Sequence, residues 1–418
     1  MEANQINEAI SIFIVLAMYI FTLFYSSYKI KMDRKLVLIF IGAILLRFIL
    51  SIINVYVFPD ILPHSGEDTK NFEMTGYYLA TGKMDISTYR WDNYPRLIYI
   101  VYLIIGRMPA VIVAINGVVS ILSAVYLHKI LEIVIESRKR IFLLVSLFLF
   151  FPHNMIFASI ILRESLIVYF VILSLYEFIK YSKLKKFNTI FLSVVYLLIA
   201  TTLHAGVLFI GVGYLAYVLK DKQIIRKFDR YKKPLIIFLI VAIVGGLYLY
   251  SNLAFRKLAS YDSLDAIINQ VNKVSDNSGE SAYLTSLKMT NLIDIIIFLP
   301  IKMFYLMFSP MLWDIRNIND IIAFLLDSFI YMYLTVGILN KIKKIHLKND
   351  KNKLFIFLLV GLLATVSVFA LGTSNAGTAL RHRFKVLPLM IILANYPTAR
   401  KKKKRYKKND EEGETNGI

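Results

Sequence analysis

Cysteine is missing altogether from the 418 residues, which excludes disulfides, a thiol nucleophile and thiolate metal ligands. Acidic residues are scarce: 28 Asp and Glu stand against 49 Lys and Arg, a formal net charge of +21. The sequence holds no Walker-type phosphate loop, no glycine-rich dinucleotide turn and no nucleotide-sugar loop, so it has no recognisable grip for a soluble nucleotide. Internal repeats of the inverted kind that build many transporters are also absent.

Apolar residues are what the chain has in excess. They make up 57% of it, at a mean hydropathy of +0.61, against roughly 45–50% in soluble domains. The chain therefore reads as an all-α, polytopic integral membrane protein. Its positive charge could suggest nucleic acid, but 32 of the 49 Lys and Arg fall in five short connections, 29–35, 138–140, 180–186, 220–233 and 341–353, or in the tail 400–408. That pattern marks topology, with membrane lipids as partners and no nucleic acid.

A helix needs about 20 apolar residues to cross the hydrocarbon layer. Eleven runs qualify as spans: 8–26, 36–58, 109–134, 141–158, 161–180, 188–203, 205–220, 234–251, 318–340, 354–372 and 384–399. An odd number puts the N-terminus outside and the C-terminus in the cytoplasm, and every dense Lys/Arg cluster then falls inside. The first run follows an acidic start and lacks a small-residue cleavage site, so it reads as a retained span. Two further apolar stretches, 97–106 and 292–312, are broken by prolines and read as short interfacial or re-entrant helices. Residues 1–399 then form one multi-span domain with outer loops 59–108, 252–317 and 373–383. Residues 400–418 form a disordered charged cytoplasmic tail.

The outer connections hold the chemistry-bearing residues. In the first, His64-Ser65-Gly66-Glu67-Asp68 precedes Phe72, Tyr77 and Tyr78, and Tyr89 to Arg96 close the loop around Tyr94. Adjacent carboxylates suit a general base or a divalent cation, and aromatic rings suit sugar faces; the bland reading is an acidic cap on a helix starting near Thr69. Arg163 and Glu164 fall between two close spans, either facing a cavity or pairing with each other. His204 occupies a turn at the same face, where a structural role is the commoner one. The link 373–383 reads as flexible until Arg381-His382-Arg383, whose guanidiniums fit phosphate oxygens bidentately. Trp313 is either an interfacial anchor or the cap of a lipid-entry groove. Arg47 stands mid-span, to be paired with a carboxylate or a lipid phosphate. The outer histidines His64, His153, His204 and His382 match no metal-ligand spacing, so no metal site is assigned.

In these features the chain resembles the bacterial GT-C-type membrane glycosyltransferases. The likeness rests on Glu67-Asp68 with Tyr77 and Ala80 following, Tyr94-Pro95, Pro152 leading to Arg163-Glu164, and Arg381 to Arg383 with Pro388. It implies a sugar moved from a polyprenyl-phosphate-linked donor to a glycan or lipid-linked acceptor, in cell-surface polysaccharide assembly at the cell membrane. It also implies a catalytic carboxylate at Asp68, with Glu67 and Glu164 as further candidates, and Arg381, Arg383 and Arg163 on the phosphate. His64, His204, His382, Tyr77, Tyr94 and Trp313 would line the substrate. The acidic motif follows the second span here rather than the first, a departure from the family pattern. The chain also resembles Wzy-type capsular or O-antigen polymerases, which would put the arginines foremost. A polysaccharide exporter is the remaining reading, and it calls for charges lining the full membrane depth.

Overall fold

Backbone amides in hydrocarbon have no water to bond, so spanning segments satisfy them within helices. The computed structural model describes residues 2–59, 61–89, 92–220, 268–269, 271–273, 281–316, 318–345 and 352–397. The expected span 234–251 and the tail 400–418 lie outside the described residues. Among the described residues every regular element is helical, and one isolated bridge joins Ala282 to Asn375.

The elements run as follows: α1 Glu2–Ile30, α2 Arg34–Ile52, α3 Glu67–Ala80, α4 Asn93–Ile105, α5 Pro109–Val134, α6 Arg138–Leu149, α7 Pro152–Ala158 and α8 Glu164–Leu184. They continue with α9 Phe187–Leu203, α10 Ile210–Lys220, α11 Leu292–Phe308, α12 Ile318–Ala323, α13 Phe329–Ile342, α14 Lys353–Leu371 and α15 Ala376–Ala394. Single π turns extend α2 over Ile53–Val57 and join α12 to α13 over Phe324–Ser328. Six helical stretches among the described residues are long and apolar enough to cross a membrane, or seven if α6 and α7 make one bent span; three more apolar helices are shorter. The protein is thus an all-helical polytopic membrane protein.

Three expected elements differ. The run 141–158 is two helices bent by 50°. Pro152 has no amide hydrogen and ends α6, freeing the carbonyls of Phe148 and Leu149. Asn154 Nδ2 donates to the first at 2.7 Å and Arg47 Nη2 to the second at 2.9 Å. Arg47 therefore has hydroxyl and carbonyl partners where a carboxylate or phosphate was expected: its other donors meet Ala43 O and Ser120 Oγ. The link 373–383 is not a flexible loop. Asn375 caps α15, its side chain accepting from Thr378 N at 3.1 Å, so Arg381 to Arg383 are helical. The stretch 97–106 belongs to a 13-residue helix that starts earlier, at the cap Asp92.

Helices α5 and α8 are the inner pair, each with 72% of its central window buried, and α1 flanks α5 at 28%. α9 covers α8, α14 lies between α10 and α15, and α15 returns against α8 and α13. Lys341 lies close to Arg140 at one end of this bundle, the basic end. The links holding His64, Arg163, His204 and Thr373 meet at the other.

Candidate functional site

Consecutive helical residues point about 100° apart, while positions four apart share a face. The basic residues of α15 follow this rule. Arg381 and Lys385 look toward the α8 start and the first outer link; His382 turns to His204; Arg383 points away, to α13. The chain reversals bring three helix starts to this level: α3 begins after Gly66, α4 at its cap Asp92 and α8 after Arg163.

Ion pairs join these elements. Arg381 Nη1 donates to Asp68 Oδ2 at the first turn of α3, and Arg163 Nη1 donates to Asp92 Oδ2 at the cap of α4. Lys385 Nζ lies 3.7 Å from Glu164 Oε1, both side chains at least 95% buried. Glu164 Oε2 is also buried and has no hydrogen-bond partner among the described residues. The imidazoles of His204 and His382 meet through their Nε2 atoms at 3.2 Å, and Thr373 Oγ1 lies 2.7 Å from His382 Nδ1. Arg163 stands 5.5 Å from the Phe72 ring. The cluster thus has buried Glu164 and Lys385 as its floor, with partly exposed Arg163, Arg381, His204 and His382 as its rim.

His64 borders the rim. Its backbone takes φ 68°, a left-handed conformation, while Asn54 Oδ1 accepts from Leu62 N and Ser65 Oγ and fixes the link around it. The His64 ring packs 5.6 Å from His153 and 5.4 Å from Phe157. Burial, reinforced by His153 and Arg381, pushes its pKa down to about 3, so it is neutral.

Beneath lies a second set of charges. Asp327, in the π turn before α13, is ion-paired with Arg383, and its Oδ1 is 2.8 Å from His153 Nδ1. Arg383 is fully buried; it also donates to the carbonyls of Met307 and Ser309 and to Ser328 Oγ. This corrects its assignment to phosphate: the guanidinium holds three elements together and faces no open space. Of the two readings of Arg163 and Glu164, the mutual pair is not formed: Arg163 pairs with Asp92 and Glu164 with Lys385.

The remaining expected residues are spread out. Glu67 is exposed on the first turn of α3. Tyr77 carries the Arg107 guanidinium 4.4 Å from its ring, and Arg107 in turn grips Glu73 with two hydrogen bonds of 2.8 and 2.9 Å, which ties α3 to the end of α4. Tyr94 is buried and its hydroxyl meets Asn116 Nδ2 at 3.0 Å, a helix-packing contact rather than a sugar platform. Trp313 is 64% exposed and donates to Tyr305 at 3.1 Å, as an interfacial anchor does. Among the described residues no three of His, Asp and Glu converge as metal ligands.

Sequence reading passed over four participants. Lys385 and Asp92 were legible only as an anchoring lysine and a loop acid, because their partners come from distant segments. Thr373 carried no signal. Asp327 did: a carboxylate inside an apolar run calls for an internal partner, and Arg383 was the available one. A scan against protein-family models, a search of curated proteins and a search of solved structures each found no match.

Proposed function

We propose that this protein is a membrane glycosyltransferase that moves a sugar or oligosaccharide from a polyprenyl-phosphate-linked donor on the extracytoplasmic face, in cell-surface polysaccharide assembly. The observation that carries the reading is the meeting of Arg163, Arg381 and Lys385 around Glu164 and Asp68 at one end of the bundle. An acceptor hydroxyl attacks the anomeric carbon, the carbon–oxygen bond to the phosphate breaks, and the hydroxyl proton passes to a carboxylate. Arg381 and Arg163 take up the negative charge that gathers on the leaving phosphate.

The ion pairs give this scheme an order of events. With no anion present Asp68 holds Arg381. A donor phosphate competes for that guanidinium, seating the leaving group and releasing Asp68 to accept a proton. Glu164 is the second candidate base, with Oε2 unpartnered beside Lys385. His204 and His382 would contact the sugar, and Glu67 and Asp68 are the adjacent carboxylates that a divalent cation would meet at the exposed rim.

The test is transfer from a polyprenyl-linked sugar by purified protein. Arg381→Ala is expected to lower kcat by about 10²–10³ and Asp68→Asn or Glu164→Gln by about 10²–10⁴, whichever is the base. Full activity in both carboxylate variants with loss in Arg381→Ala turns the reading to a Wzy-type polymerase. Unchanged transfer in all three overturns the site. Export without transfer overturns the enzyme.

A further inference from the structure

From the middle of the bundle toward the opposite, basic end, α1, α5, α8 and α9 contribute five tyrosines to one lateral surface, with Tyr25, Tyr126 and Tyr176 nearest that end. Tyr126 stands 5.5 Å from Tyr176 and 6.2 Å from Tyr169, ring to ring, and Phe170 carries the line on to Tyr196 at 6.4 Å. Tyr25, Tyr169 and Tyr196 lie near enough to Tyr126 to interact with it. All five are partly exposed rather than packed away.

Lysines close the end of this strip. Lys129 Nζ lies 5.3 Å from the Tyr126 ring and 5.9 Å from that of Tyr176; Lys180 Nζ lies 4.9 Å from Tyr176 and Lys29 Nζ 5.8 Å from Tyr25. Lys29 and Lys180 are near enough to Lys129 to repel it, and Glu132 and Glu177 offset them. Glu177 is held by Lys180 at 2.9 Å and Glu132 faces His128 at 3.5 Å. Lys129 and Lys180 thus converge on the Tyr176 ring, with Lys29 beside them on α1.

We infer that this groove binds an anionic membrane phospholipid, its phosphate between Lys29, Lys129 and Lys180 and its glycerol esters against the hydroxyls of Tyr25 and Tyr126. Basic pockets between spanning helices at the positively charged face suit such headgroups. Tyr126 lies one helical turn inward of Lys129, about 4.5 Å, where ester carbonyls follow the phosphate. A polyprenyl phosphate has hydrocarbon at that depth and no acceptor for the phenols. The site is remote from the mixed-charge cluster and independent of the transferase reading.

Native mass spectrometry of the full chain from nanodiscs of phosphatidylcholine with phosphatidylglycerol tests it. Wild type is expected to retain one phosphatidylglycerol through delipidation. Each lysine contributes about fivefold in affinity, so the Lys129→Gln/Lys180→Gln pair should weaken retention roughly 25-fold. Lys183→Gln/Lys186→Gln, exposed at the same end, should retain it. Unaltered retention in the first pair, or equal loss in both, overturns the groove. Preference for polyprenyl phosphate in a mixed nanodisc overturns the phospholipid. Unchanged thermal melting of the variants separates lost binding from lost fold.

Discussion

A buried charge is stable only beside its partner, and Asp327 with Arg383 is the clearest case in this molecule. Removing one member leaves the other charged and enclosed, at a cost of about 3–5 kcal/mol. Asp327→Asn should therefore lower the melting midpoint in detergent sharply, whereas Asp327→Asn with Arg383→Met should recover most of the loss. A double variant no more stable than Asp327→Asn would mean that the carbonyl and hydroxyl contacts of Arg383 matter more than its charge. His64 supplies a pH dependence of known sign. Unfolded, its imidazole takes a proton near 6.5; folded, burial with His153 and Arg381 holds it neutral to about 3. The folded chain binds fewer protons across that window, so stability falls as pH drops from 6.5 toward 3. Melting curves from pH 7 to 4 should slope less steeply in His64→Gln than in wild type.

Helices in a bilayer approach closely where small residues let them, and α10 against α14 shows how little room is left. A Cβ on Gly213 would stand 2.1 Å from Phe357 O, and one on Gly361 would stand 2.8 Å from Ile210 O. Neither obstacle is a movable side chain. Gly213→Ala should therefore push the pair apart and cost about 1–3 kcal/mol, read as a lower melting midpoint; Gly82→Ala meets nothing within 4 Å but strains a φ of 70° in an exposed turn and should cost less. At this scale the sequence was most legible where apolar runs are long: α1, α2, α5, α8 and α14 stand where hydropathy put them. It was least legible at α15. Arg381, His382, Arg383 and Lys385 depress the hydropathy of its first half, so the helix reads as starting at 384, eight residues late. Their polarity is neutralised by Asp68, His204, Asp327 and Glu164, all distant in sequence, and single-residue hydropathy carries no record of such partners. The bend at 150–151 was marked by Pro152, but its repair by Arg47 and Asn154 depends on packing between α2 and α7.

For the whole molecule, the decisive fact is the separation of charge between the two ends. Among the described residues the basic links gather at one, the mixed-charge cluster of Arg163, Arg381, Lys385, Glu164 and Asp68 lies at the other, and a membrane with an anionic cytoplasmic face favours one orientation. On that orientation the proposed transferase site faces the extracytoplasmic leaflet and the proposed lysine-capped groove faces the anionic lipids of the inner one. The natural lack of cysteine makes it directly measurable, since any thiol introduced is the sole one. Ser87→Cys, in the turn between α3 and α4, and Lys139→Cys, in the first turn of α6, are both at exposed positions. Ser87→Cys should react with a membrane-impermeant maleimide in intact cells. Lys139→Cys should react only after the membrane is opened. The reverse pattern would invert the molecule, and an extracytoplasmic transfer site would then be impossible whatever the chemistry of Arg381 and Asp68. Labelling of both in intact cells would mean that Ser87 and Lys139 lie on one side, and α4 and α5 would then cross together or not at all. Only the expected pattern lets a donor phosphate in the outer leaflet reach the cluster while phosphatidylglycerol occupies the groove from the inner one.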